Sequence, residues 1–471
     1  MENWVKEWLE KERAKGKKRL EIKQFGRAYY VYESTTIWDK KEKKRRKVSK
    51  YVGKLTTEGV IKGVKRLSVR SIYEYGNGAL LKKYIGEIKN PLREAFPEYY
   101  QEIIAMGIVK TIEPLPIKLI GSRWEKLYLS QTMKACLSPK TISKLLKEIG
   151  SDWTSQNTFF ESILMNKKVL FFDLSSIFTH SENILLAEKG YNRNHLYLKQ
   201  INFLLFFSLE QGIPVMLKPI PGSIKDINAL KSVLREGALR SAVLVVDRGL
   251  ASYKLAKMLH DMHISYIMPL RRNFEIIDYN MRLKKFFTYR NRGIKWNKKK
   301  IGNNYLYVYE DVKLRAEEES TFIELMEKKK KKKREYEHTC KKFGKIAILS
   351  DINADGEEVY RIYKQREEIE CAFDAFKNTL ECDKTYLQDD DAVRGFFFIS
   401  FISLYLYYRI LGDLKNAGLL NKISVKEILL EFSKVYMIVG KDKTLISDVP
   451  HKVMKLHDAL KLNLFPKNLR S

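Results

Sequence analysis

Four residues stand at chemically suggestive intervals in the run Tyr363-Lys-Gln-Arg366-Glu-Glu-Ile-Glu370-Cys-Ala-Phe-Asp-Ala-Phe-Lys377, which reads Y-x2-R-x3-E-x6-K. At about 100° per helical residue, Arg366, Glu370 and Lys377 lie about 300°, 340° and 320° around from Tyr363. A carboxylate, two cations and a phenol would then share one narrow arc. Ile362, Ile369, Phe373, Phe376 and Leu380 form an apolar stripe beside it, so the spacing predicts a helix docked on a core with charge along the seam. A carboxylate flanked by cations on such a seam suits a metal ion next to a phosphate backbone. An amphipathic helix with ordinary i,i+4 charge pairs would show the same spacing.

Two further carboxylates sit where a charge is costly. Asp173 lies inside Val-Leu-Phe-Phe-Asp-Leu, and Asp247 ends Ala-Val-Leu-Val-Val-Asp before Arg248-Gly249. A buried carboxylate must be paired or bind a cation; an Asp closing an apolar strand can also be a plain turn or cap residue. Asp173, Asp247 and Glu370 together could hold two Mg²⁺ ions, the arrangement that activates a water or hydroxyl and steadies the leaving oxygen of a phosphodiester.

The elements around these residues predict a mixed α/β sheet. Val169 to Leu174, Ile201 to Leu209 and Ile213 to Ile220 read as three successive strands, the last two joined at Gln211-Gly212. Ser223-x-x-Asp226 reads as a helix cap. Ala242 to Asp247 and Ile264 to Leu270 read as further strands around a helix from Ser252 to His263. Residues 271–341 interrupt this texture, being very basic, with a strand at Tyr305 to Tyr309, an acidic helix near Arg315 to Glu327 and the cationic run Lys328 to Arg334. The core resumes with Lys345 to Ser350, the Glu370 helix and an apolar helix from Ala392 to Leu411. Ser424-x-x-Glu427 is a capping box expected to open a helix from Val425 to Met437.

Upstream, Ala28 to Ile37 alternates in polarity and can pair with Lys47 to Leu55 as a hairpin. Lys40, Lys41, Lys43, Lys44, Arg45, Arg46, Lys47 and Lys50 crowd its tip, with Tyr29, Tyr30, Tyr32 and Tyr51 nearby. Such a ribbon suits contact with a DNA backbone, and equally a solvated hairpin tip.

Bulk composition agrees with a nucleic-acid partner. Across 471 residues, 88 Lys and Arg against 57 Asp and Glu give a net charge of +31, which favours a polyanion. The 45% hydrophobic and 12% aromatic content is that of a globular chain of two or three domains. The four cysteines, Cys136, Cys340, Cys371 and Cys382, have no CxxC spacing and read as reduced thiols of a cytoplasmic protein. The N-terminus is charged throughout, unlike a signal peptide. The apolar run Gly395 to Tyr408 is shorter than the roughly 20 residues that span a bilayer, so no membrane partner is expected. No phosphate-binding glycine loop occurs. His260 and His263 lack a third ligand, and Glu367 and Asp374 read as solvated or DNA-edge acids.

With these residues in view, the chain resembles the DDE transposases of bacterial and archaeal insertion sequences, in the group marked by the Y-R-E-K signature. The match is complete at Tyr363, Arg366, Glu370 and Lys377. Asp-Arg-Gly at Asp247 to Gly249 matches the second acidic motif and the Asp173 strand the first. Gly212-Ile-Pro, Pro221-Gly222 to Asp226, and Val393-Arg394-Gly395 agree as well, while Phe396 stands where a histidine is expected. The resemblance covers residues 165–412, and the N-terminal third more loosely.

The resemblance implies a ribonuclease H-like mixed sheet with a β-rich insertion. Its parts would be a basic DNA-binding region at 1–150, a catalytic core at 165–270 and 342–412, the basic insertion at 271–341, and C-terminal helices at 413–471. It implies catalytic, metal-holding roles for Asp173, Asp247 and Glu370, with two Mg²⁺ ions and Mn²⁺ able to substitute. Tyr363, Arg366, Lys377 and Arg248 would hold DNA near the cleaved phosphate, and Lys44, Arg45 and Arg46 would touch its backbone. Trp296 would stack on a flipped base, or else plug the insertion. The partners would be double-stranded transposon ends and target DNA, held by a homodimer in a prokaryotic, nucleoid-associated setting. A nuclease of the same fold that never joins strands, or a DNA-binding relative without catalysis, are the other readings.

Overall fold

The computed structural model describes residues 1–39, 42–62, 69–190, 198–224, 230–231, 242–441 and 443–465. It divides into a unit of Met1–Ser71 with Val439–Thr444 and a larger unit of Ile72–Ile438 with Leu445–Ser471.

In the smaller unit, α1 (Asn3–Ala14) precedes an antiparallel sheet of β1 (Leu20–Phe25), β2 (Ala28–Asp39), β3 (Lys44–Thr56) and β4 (Gly59–Lys62), in the order β1-β2-β3-β4. The anticipated hairpin is β2–β3, with Tyr32 opposite Tyr51 and Trp38 opposite Arg45. Alternation places Tyr29, Val31 and Leu55 against Val5 of α1 in a small core. Lys40 and Lys41 of the tip lie outside the described residues.

The larger unit is built on a ten-stranded mixed sheet. After β5 (Val69–Glu74), which lies outside this sheet, its strands include β6 (Val169–Phe178), β7 (Glu188–Lys189), β8 (Lys199–Ser208), β9 (Ile213–Pro221), β10 (Val243–Val246) and β11 (Ser265–Leu270). β8 pairs antiparallel with both β6 and β9, whereas β10 runs parallel to β6 and to β11. The β8–β9 hairpin turns at Gly212, whose φ of +64° a side chain would strain. Val-Leu-Val-Val and Phe-Leu-Leu-Phe-Phe are buried on both faces, as central strands require.

The basic stretch from 271 continues this sheet. β12 (Lys285–Tyr289), β13 (Arg292–Ile301) and β14 (Asn304–Asp311) join β15 (Lys345–Ser350), which pairs antiparallel with β11. The long interval between Asp247 and Glu370 is thus spent widening one sheet edge. The cap helix expected at Asp226 falls outside the described residues.

Helices α2 (Gly76–Ala95), α3 (Tyr100–Ile112), α4 (Ile117–Glu125), α5 (Pro139–Ser151) and α6 (Trp153–Leu164) belong to the larger unit's core, so the compact N-terminal unit ends well before residue 150. Phe159 and Phe160 of α6 meet Phe398 and Phe401 of a long helix, Asp390–Asn416, edge to face. That helix is long and apolar enough to cross a membrane by length and composition, yet 72% of its apolar window is buried inside the molecule. Beyond it, the Ser424–Glu427 capping box opens a helix that stops at Phe432. Tyr436–Gly440 is a strand, so the predicted helix to Met437 is too long and the C-terminal part is not wholly helical.

Candidate active site

Asp173 and Asp247 are set by strand register. Val246, the last residue of β10, pairs in parallel with Phe172 of β6, so Asp173 on β6 and Asp247 just past the end of β10 follow next in register, on chains whose strands run about 4.8 Å apart. Asp173 is half-buried, and its Oδ1 accepts the backbone N–H of Leu174 at 2.8 Å. Asp247 begins the turn that ends β10; its Oδ2 accepts the N–H of Gly249 at 2.9 Å.

Glu370 arrives from the opposite direction. Ser175 pairs with Phe203, so Phe203 shares the sheet face of Asp173 by alternation. Phe373 and Phe376 pack on Phe203 with ring centroids 5.6 and 5.0 Å away, and this seats the Glu370 helix over that face.

The helix is not the continuous one its spacing predicts. One segment, Gly356–Lys364, ends at Lys364; a tightened turn at Gln365 and Arg366 follows, then Glu367–Asp374, then a π-helical turn over Ala375–Thr379. The single narrow arc therefore dissolves, although Arg366 and Glu370 keep their i,i+4 relation. π turns cluster at functional sites, and Lys377 lies in this one, its ammonium 5.8 Å from the Phe203 ring centroid.

Arg366 ties the carboxylates together. It donates to Asp247 Oδ1 at 2.5 Å and to Glu370 Oε1 at 2.9 Å. Burial alone would lower the pKa of its guanidinium, but Asp247, Tyr363, Glu370 and Asp173 together raise it above the ordinary value. Burial also pushes up the Tyr363 phenol, against the fields of Arg366 and Arg248, so it stays protonated at neutral pH. Arg248 itself is exposed. The other acids of the helix are claimed elsewhere: Glu367 by Arg290 at 2.7 Å, Glu368 by Lys415 at 2.8 Å, and Asp374 by the Asn378 amide at 2.6 Å.

Among the described residues, no group of three His, Cys, Asp or Glu side chains is gathered closely enough to hold a metal as it stands. The donor set still fits a hard divalent cation, since it is all carboxylate oxygen and two members are strand neighbours. The Arg366 guanidinium bridges Asp247 and Glu370, the positions such a cation would neutralise. The family resemblance implied a DNA contact for Arg366; its role as counterion to both carboxylates was missed. Its i,i+4 offset from Glu370 was the available signal.

Trp296 does not offer its ring for base stacking. It is 3% exposed on β13, stacked on Tyr309, with the Lys285 ammonium 4.8 Å from its centroid. A Cβ at Gly356 would come within 2.2 Å of its Cε3, and the Tyr309 hydroxyl donates to the Gly356 carbonyl at 2.8 Å. The indole thus packs the widened sheet edge onto the start of the helix bearing Tyr363, the packing that the plug reading expects. Phe396, in place of the expected histidine, lies under the Lys110 ammonium at 4.7 Å. In the other unit, Lys44, Arg45 and Arg46 are exposed, with Lys44 paired to Glu42 at 2.6 Å.

The chain belongs to the family of DDE transposases: the family's model, "Transposase DDE domain", matches residues 165–406, and that span contains all three carboxylates. DNA transposition is the activity this family defines. No curated protein matches the chain. A solved structure similar to it is the cryo-electron microscopy structure of a piggyBac transposase synaptic complex with hairpin DNA, at 13% identity, 86% coverage of each chain and a TM-score of 0.41.

Proposed function

We propose that this transposase cuts and joins the ends of its own insertion sequence, as a member of the Y-R-E-K group, with Asp173, Asp247 and Glu370 as its catalytic, metal-holding residues. The observation that carries this reading is that Asp247 directly follows β10 where its last residue pairs with the neighbour of Asp173 on β6, with Glu370 held to Asp247 through Arg366. The strand order β9-β8-β6-β10-β11, antiparallel and then parallel, supports a ribonuclease H-like core.

Two Mg²⁺ ions bound to these carboxylates would activate the attacking water or 3′-hydroxyl and neutralise the leaving oxygen. The residues around them bind and orient the strand. Arg366, released from the carboxylates, offers a planar fork that matches a phosphate. The Tyr363 phenol, kept protonated by burial, donates a hydrogen bond to a phosphate oxygen. Arg248 and Lys377 supply positive charge beside the strand, and Lys44, Arg45 and Arg46 contact duplex backbone. The substrate is double-stranded DNA, two ends brought together by a homodimer.

Asp173→Asn, Asp247→Asn and Glu370→Gln should each abolish nicking of a terminal-repeat duplex in Mg²⁺ while retaining end binding. The reading fails if any of the three still nicks near the wild-type rate. A strand-joining assay on pre-nicked ends separates it from a nuclease that never joins.

A further inference from the structure

We propose that the outer face of the N-terminal β-sheet is a stacking platform for single-stranded DNA. The face opposite the Val5–Tyr29–Val31 core carries an unbroken strip of aromatic rings across three strands. Phe25 of β1 lies 5.8 Å from Tyr30 of β2, Tyr30 lies 6.2 Å from Tyr51 of β3, and Tyr51 lies 5.5 Å from Tyr32, centroid to centroid. Tyr29, the neighbour that points the other way, is buried against Trp4. Phe25 and Tyr51 are 59% and 44% exposed. Four large rings on one open sheet face are too many to be incidental solvent contacts, and the strip needs an occupant.

Charge decides which occupant. Lys23 holds its ammonium 4.8 Å above the Tyr32 ring, and Lys54 pairs across from Tyr30 on the same face. Glu21, an acid on this face, is already matched by Lys47 at 2.8 Å, and Lys47 and Ser34 hold its carboxyl below the ordinary range. Rings interleaved with cations repel a second, identical basic face and match a polyanion that can present flat rings of its own. Duplex DNA hides its base faces in the stack; an unpaired strand exposes them, and each base can lie on an aromatic side chain while lysines follow the phosphates. The platform is separate in residues and in chemistry from the carboxylate site, and it differs from the duplex-backbone contact suggested for the hairpin tip. DNA is the nucleic acid that the family's activity handles.

The test is binding of the full-length protein to a labelled oligo-dT, to the same length of oligo-rU, and to a hairpin duplex, read by fluorescence anisotropy over a salt series. Wild type should bind oligo-dT. The double variant Phe25→Ala, Tyr51→Ala should lose about tenfold or more in oligo-dT affinity, since stacking is lost at two rings. Duplex affinity should stay within about twofold, with the salt slope unchanged because no phosphate contact is removed. Tyr51→Phe should keep oligo-dT binding, which guards against a folding defect. Equal loss on duplex and single strand, unaltered oligo-dT binding in the double variant, or a preference for oligo-rU would each overturn the proposal. So would a wild-type dimer that the double variant splits with no change in oligo-dT affinity.

Discussion

Arg366→Ala should tighten divalent-metal binding by the DNA-free protein. Arg366 makes charge-assisted bonds to Asp247 and Glu370, and these must be surrendered before a cation can take both carboxylates. The guanidinium is 34% exposed and its partners 26% and 47%, so solvent discounts each bond well below a buried one. A value of about 1 kcal/mol per bond lies between exposed ion pairs and buried charged hydrogen bonds. Two such bonds make roughly 2 kcal/mol, or about 30-fold in metal affinity. The same change leaves Asp247 and Glu370 facing each other uncompensated, so the metal-free variant should melt lower and recover with metal. Arg366→Lys, which keeps the charge but cannot fork to both carboxylates, should fall between. Calorimetric titration with Mn²⁺ reads the effect without DNA or turnover. Equal or weaker Mn²⁺ binding by a folded Arg366→Ala protein would refute the view that this side chain competes with the ion.

Two predictions concern the framework. The nearly buried Glu310 carboxyl is disfavoured as an anion by burial, but the Lys345 bond at 2.8 Å, with Arg315 and Lys295 nearby, outweighs this and holds its pKa below the ordinary value. A depressed carboxyl stabilises the fold above its unfolded pKa of about 4.3 and loses that contribution as pH falls through the folded value. Glu310→Gln should therefore cost roughly 2 kcal/mol at pH 7, partly by stranding Lys345, and the gap to wild type should close below about pH 4 in thermal melts. Gly356→Ala should cost about 1–3 kcal/mol by overpacking Trp296, read by urea unfolding, and Trp296→Leu in the same chain should recover part of it.

Local pattern made the central strands legible. Val-Leu-Phe-Phe-Asp-Leu and Ala-Val-Leu-Val-Val-Asp are apolar runs bounded by turn residues, and both are strands. The β2–β3 hairpin was readable for the same reason, through alternation. Features decided by tertiary packing were not. Nothing in Lys364-Gln365-Arg366 breaks a helix on its own. The segment before the break packs through Tyr360 against Tyr309, whereas the segment after it packs on Phe203, and the backbone turns between these two anchorages. Residues 76–150 read as part of a basic N-terminal region because their charge is visible in sequence, while the burial of Phe96 against Phe398 of the long apolar helix far downstream is not. The strand at Tyr436–Gly440 had a warning in its β-branched Ile438 and Val439, overridden by the strength of the capping box upstream.

The acids of the Glu370 helix show how far spacing alone can reach. Glu367, Glu368, Glu370 and Asp374 lie within eight residues, and helical geometry leaves several of them facing the same way. Each finds a partner, but the partners differ in kind. Arg290 comes from the turn between β12 and β13, Lys415 from the end of the long apolar helix, and Asn378 from the next turn of the same helix. The first two contacts fasten the helix to its surroundings, and the third stays within it. Only Glu370 shares its cation with a second carboxylate, and that carboxylate is the strand neighbour of Asp173. A cation held between two acids from separate elements is a costly arrangement to keep for stability alone, because the guanidinium and Asp247 are both half removed from water. What singles out Glu370 is therefore the far end of its partner's hydrogen bonds, at Asp247, more than 100 positions upstream in the chain.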